Sequence, residues 1–153
     1  MRSLLQIIDE AYERKAWHGP NLRGSIRGVT ARQAAWRPAL RRHNICEIVL
    51  HAAYWKYIVR RRLLGDKKGA FPVKGSNWFP SPTPLTEKSW RNGVLMLEQS
   101  HRSMRQAIAG LARADLSKIP PGNKVSNLTI ISGIALHDVY HAGQIQLLKR
   151  LQK

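Results

Sequence analysis

Apolar residues recur at helical spacing along almost the whole chain, and no run alternates with the period of a strand. Leu4, Ile7, Ile8, Ala11 and Tyr12 make an amphipathic first segment. Gly19-Pro20 is expected to kink or restart it, because a helix-interior proline loses a hydrogen bond and clashes with the preceding turn. Leu22, Ile26 and Val29 then continue it. Thr30-Ala31-Arg32-Gln33 reads as a capping box opening a short helix that Pro38 ends or follows. Asn44-Ile45-Cys46-Glu47 reads as a second one, opening a long helix to about Gly65 with Ile48, His51, Trp55 and Ile58 or Val59 facing inward. A third helix should begin near Pro84 or Thr86 and carry Trp90, Val94, Leu97, His101, Met104 and Ile108 on its inner line. Pro120-Pro121-Gly122 breaks the chain, and a fourth helix runs from about Ser126 to the end. The Gly65 to Pro84 connection, with four prolines and three glycines, is long enough to suggest a crossover or a functional segment. Within it, Trp78-Phe79 could cover one end of the core. The expectation is an all-α four-helix bundle with a long crossover connection, forming one domain over residues 1–153.

Inside the last helix lies His137-Asp138-Val139-Tyr140-His141. Residues four apart on a helix stand one turn apart on a single face, a spacing at which two imidazoles can grip one metal ion. Ile130, Ile134, Leu148 and Leu151 fall on the same stripe, so both rings should point into the protein. His51, on the inward stripe of the second helix, is the natural third ligand. Three neutral imidazoles around a divalent ion leave a coordination position open, the catalytic pattern; structural sites are closed by four protein ligands. His101 either faces the same cavity or, the preferred reading, is a hydrogen-bonded core residue. His18, beside the Gly19-Pro20 break, either approaches the pocket or lies on the surface, and His43 is expected to be solvated. Cys46 reads as buried filler. Asp138 stands where zinc proteases have glutamate, and the mismatch argues against that class. It could orient a ligand ring or pair with a neighbouring base. Gln144, one turn beyond His141, could hydrogen-bond a substrate or a ring nitrogen, and Tyr140 is expected to pack between helices.

The charge is unusual. Lys and Arg number 26 against 9 acids, a net +17, and no acid occurs between Glu13 and Glu47 while eight basic residues do. Arg60-Arg61-Arg62 and Lys67-Lys68 add a second cluster. Such a field draws polyanions non-specifically, so nucleic acid is a conceivable partner. A single cysteine excludes an intrachain disulfide and, with no leader or membrane span readable, suggests a cytoplasmic protein without membrane insertion.

Trp17-His18-Gly19-Pro20, Ala35-Trp36-Arg37-Pro38, Asn44-Ile45 leading to His51 and Trp55, Trp90-Arg91-Asn92-Gly93, and His137-Asp138-Val139-Tyr140-His141-Ala142-Gly143-Gln144 together resemble the DinB-like family of metal-dependent enzymes. The resemblance covers essentially the whole chain. It implies a four-helix bundle, often a homodimer, with a metal-binding triad at one end of the core, here His51, His137 and His141. It further implies zinc or nickel as the ion. The better-understood relatives resemble thiol transferases and isomerases using bacillithiol, mycothiol or glutathione, and many members have no known reaction.

Two functions from different classes are therefore expected. One is a metal-dependent thiol transferase, isomerase or hydrolase, acting on a small-molecule substrate by activating water or a low-molecular-weight thiol. The other is a basic protein binding nucleic acid or an anionic surface, with structural histidines.

Overall fold

The computed structural model describes residues 1–67 and 69–152; Lys68 of the second basic cluster and Lys153 at the end of the expected domain lie outside them. The chain forms helices at Arg2–Tyr12 (α1), Leu22–Ile26 (α2), Ala31–Ala35 (α3), Ile45–Leu64 (α4), Glu87–Ala109 (α5) and Asn127–Leu151 (α6). A 3₁₀ turn lies at Arg113–Ser117. No strand occurs among the described residues. Asn21, Thr30, Asn44, Thr86 and Ser126 each cap a helix by accepting the amide three residues on. Gly65 ends α4 in the left-handed region at φ 68°, which glycine adopts without a Cβ penalty.

Of the two outcomes expected at Gly19-Pro20, the first segment takes the restart. α1 stops at Tyr12, well before Pro20, and residues 22–26 form a separate short helix with its own cap. A kinked continuation does not form, because the Asn21 side chain accepts the Gly24 amide and starts a new helix there. The second capping box is half made. Asn44 accepts from the Glu47 amide, but the Glu47 carboxylate turns away to the Arg37 guanidinium, a charged donor that outcompetes a neutral amide.

α1, α4, α5 and α6 form the bundle, and the contacts fix their directions. Gly93 lies against Leu50 and, further along both helices, Lys56 and His101 both meet Tyr12, so α5 runs parallel to α4. Asp9 meets Arg105 and Tyr12 meets His101, so α1 opposes α5. His51 meets His141, and Lys56 meets Asp138, so α6 opposes α4. Parallel neighbours need a connection that returns along the bundle. Residues 65–86 supply it: Phe71 packs on Tyr57 and Tyr54, Asn77 reaches His51, and the Ser81 amide reaches Glu47. The long connection is the expected crossover, laid back along α4.

The apolar core is in two parts. Ile45, Ile48, Val49, Ala52, Phe79, Trp90, Leu97 and Ile145 pack at one end. Ile8, Val59, Met104, Ile108, Ile131 and Ile134 pack at the other. Leu151, expected on the inner stripe, is 54% exposed: the core ends at Leu148, and the last turn of α6 meets α2 and α3 through Lys149 and Gln152 instead. On every long helix the residue between the two clusters is polar or aromatic-polar: Tyr12, Lys56, His101 and Asp138. Lys56 Nζ donates to Asp138 Oδ2 at 2.5 Å and lies over the Tyr12 ring, which stacks on His101 at 3.6 Å. Burial pushes the Lys56 ammonium down and the Asp138 carboxyl up, and each charge opposes the shift of the other.

A fully buried pair is costly to break and cheap to replace as a unit. Lys56→Met should lower unfolding free energy in urea by about 3–5 kcal/mol, because it strands the Asp138 charge. Lys56→Met combined with Asp138→Leu should recover most of that loss; additive losses would contradict the pairing.

Candidate metal centre

α4 presents His51 and α6 presents His137 and His141, and the three Nε2 atoms meet. His137 Nε2 lies 3.0 Å from His51 Nε2 and 3.0 Å from His141 Nε2. The outer nitrogens explain the orientation of two rings. His51 Nδ1 donates to the Asn77 carbonyl at 2.8 Å, and His141 Nδ1 donates to Gln144 Oε1 at 2.6 Å. A carbonyl oxygen can only accept, so both rings carry their proton on Nδ1 and turn a lone pair on Nε2 toward the common point. The His137 Nε2–H can bridge to one neighbour well, not to two. His137 Nδ1 is buried with no partner. Three convergent nitrogens with at most one proton among them are the donor set a divalent cation requires.

The spacing fits such an ion. Bonds of 2.0–2.1 Å in a tetrahedral site put nitrogens about 3.3 Å apart, and all three ligand atoms lie within 4.8 Å of one another. No carboxylate or thiolate joins them among the described residues, so a fourth position is left for a small molecule. Burial keeps the rings neutral. It lowers His51, takes His137 down to about 3 with help from the other two imidazoles, and takes His141 to about 4 although Gln144 opposes it.

The crossover finishes the site. Trp78 stacks on His51 with centroids 3.9 Å apart and on His43 at 3.6 Å on its other face. Asn77 adopts φ 63°, a left-handed conformation that asparagine tolerates. Its carbonyl orders His51 while its side chain accepts from Trp55 Nε1 at 2.9 Å. Glu47 holds the next stretch in place through the Ser81 amide, with Arg37 and His43 also on its carboxylate. Burial would raise the Glu47 pKa, but those donors hold it near 2. Asn77 and Trp78 sit in a proline-rich stretch with no helical period, so no spacing signal pointed to them.

Other candidate residues lie elsewhere. His101 is buried in the polar layer, outside the triad, and neither ring nitrogen has a partner, so it is a core histidine but not a hydrogen-bonded one. Burial, then the Lys56 and Arg105 charges, takes it to about 2. Asp138 faces away from the triad to Lys56, the buried base that the helical reading of α4 overlooked. His18 is exposed near the C-terminal half of α6. His43 is exposed yet ordered by Glu47 and Trp78, and Cys46 is buried. Tyr140 does not pack between helices: it is 63% exposed, and its hydroxyl accepts from Gln144 Nε2, because its position on α6 is turned from the core. Arg14, Arg23, Arg37 and Arg60 are each paired with an acid, which thins the basic stripe. No helix among the described residues is long and apolar enough to cross a membrane.

The depressed histidines set the pH response of the metal-free protein. Unfolded rings take up protons below about pH 6.5, whereas the folded rings of His137, His141 and His101 resist until about 3, 4 and 2. The unfolded state therefore binds more protons in the window between, and stability must fall as pH drops through it. The Tm of metal-free protein should decrease steadily from pH 7.5 to 5; a flat profile would contradict neutral, buried rings.

Comparison with known proteins agrees with this geometry at the level of the family. Neither the curated proteins nor the solved structures offer a match. The model of the DinB superfamily, by contrast, matches residues 16–145, a span that includes all three convergent histidines, and the chain belongs to that superfamily.

Proposed function

We propose that His51, His137 and His141 hold one divalent cation, zinc or nickel, and that the protein is a metal-dependent enzyme acting on a small molecule. The convergence of three Nε2 atoms with two of them forced to present lone pairs carries this reading. When bound, such an ion supplies Lewis acidity, by which a water or a low-molecular-weight thiol in the open position loses its proton near neutral pH. Neutral imidazoles leave the ion's charge uncompensated, which favours that acidity over a purely structural role. Asn77 and Trp78 orient His51, and Gln144 orients His141, so the ligands are held before the ion arrives. A thiol transferase, isomerase or hydrolase-like reaction suits this arrangement. Structural histidines in a nucleic-acid-binding protein suit it less, since three Nε2 atoms converge on one point with at most one proton among them.

The same reading places residues 1–153 in one domain, in a reducing cytoplasm. It also pairs two copies of the chain. Leu136, Tyr140, Leu147 and Leu151 are all more than half exposed and share one narrow face of α6. α6 carries no Lys or Arg before Lys149, so the repulsion that a +17 chain presents to its copy is confined to the edges of this face, at Arg42 beside Tyr140 and Leu147 and at Lys149 and Arg150.

Protein purified without a chelating tag, loaded with zinc or nickel and desalted, should retain about one ion per chain by elemental analysis. His137→Ala should lose it while keeping its helical circular dichroism, and Gln144→Ala should weaken it roughly tenfold. Wild-type protein that retains no ion would overturn the proposal. Light scattering should report a dimer that Leu136→Asp with Leu151→Asp converts to monomer; a wild-type monomer would remove the pairing.

A further inference from the structure

A cleft of about 530 Å³, within the range of small-molecule sites, opens beside the triad. His141 and Gln144 are among the residues lining it, so it borders the proposed metal position. Its walls are apolar: Ile48 and Leu148 come from the buried core, and the half-buried Trp78 ring is the one stacked on His51. Arg42 is the only residue with a permanent charge among the described residues lining it. Arg37, five residues earlier, is neutralised by Glu47; Arg42 is exposed and has no acidic partner among the described residues. His43 also borders the cleft, but its Nδ1 is engaged by Glu47.

An apolar cleft lined by both a free cation and a ligand of the proposed metal selects two things together. It selects a body that prefers Trp78, Ile48 and Leu148 to water, and an anionic group that the guanidinium can grip with two parallel hydrogen bonds. We propose that this cleft binds a small organic anion with an extended apolar body, its anionic group on Arg42 and its body running inward toward His141. This deepens the metal-enzyme reading by naming the substrate class, and rests on it for the chemistry though not for the binding. A free polyanion such as nucleic acid fits badly, because its charges recur every few ångströms and the cleft offers one partner for them.

Calorimetric titration of the full chain, run in parallel on zinc-loaded and metal-free protein, separates the two claims. The probes are acetate, hexanoate, octanoate and neutral 1-octanol. Octanoate should bind about fifteenfold more tightly than hexanoate, near fourfold for each added methylene, and acetate should not bind measurably. Arg42→Ala should weaken octanoate about tenfold and leave octanol unchanged, while Arg113→Ala, on the exposed 3₁₀ turn, should change neither. Octanoate binding that ignores Arg42, or that shows no chain-length dependence, would overturn the inference. Octanoate binding that requires zinc but not Arg42 would also overturn it and leave the metal reading intact. Failure to take up zinc, with octanoate still held through Arg42, would count against the metal reading alone.

Discussion

Two hydrogen bonds on the outside of the triad determine what the inside can do. The Asn77 carbonyl accepts a hydrogen bond from His51 Nδ1–H and the Gln144 amide oxygen accepts one from His141 Nδ1–H. Each ring is thereby locked with its lone pair inward, and the two lone pairs share a contact, His137 Nε2, that has one proton at most to offer. Packing alone would not choose this arrangement, because a buried imidazole pair is better satisfied by turning one ring over. A cation at the common point removes the conflict. The arrangement therefore concentrates unsatisfied lone pairs at one point, which is what the proposed cation would relieve.

The remainder of the molecule holds that arrangement still. His51 and the His137/His141 pair come from antiparallel helices, so their separation depends on the relative register of α4 and α6. The Lys56–Asp138 pair fixes that register from just inside the triad: Lys56 follows His51 by little more than a turn, and Asp138 adjoins His137. Around it, Tyr12 and His101 complete a polar layer to which each long helix contributes one side chain. A one-turn slip of any helix would leave a buried charge or polar ring against hydrocarbon, so the layer specifies a single alignment. The crossover adds the third constraint. It is tied to α4 at Tyr57, His51 and Glu47 in turn, and delivers Asn77 and Trp78 to the triad on the way.

Much of this was legible from the chain. Asn44, Gly65, Thr86 and Ser126 carry local chemistry that marks helix ends, and they mark them in the structure. The inward placement of His51 and His141 followed from a 3.6-residue period on long, strongly patterned helices. What escaped was non-local. Lys56 looks like a surface residue until Asp138, 82 positions away, is seen to share its pocket. Asn77 contributes a backbone carbonyl, which no residue type advertises. His101 lies inside as its period implies, but its lack of hydrogen-bond partners is a property of the surrounding packing that the period does not carry. The periodic pattern ran on past the real core at Leu151, because period alone does not say where the neighbouring helices stop.

The central claim is that three imidazole nitrogens, and no other protein atoms, bind one divalent ion. X-ray absorption at the zinc edge of loaded wild-type protein tests it directly. The account predicts three imidazole nitrogens at about 2.0–2.1 Å with their outer-ring scattering, plus one further light atom and no sulfur. A spectrum of an ion with fewer than three imidazoles, or with the Cys46 thiolate in its shell, would contradict it.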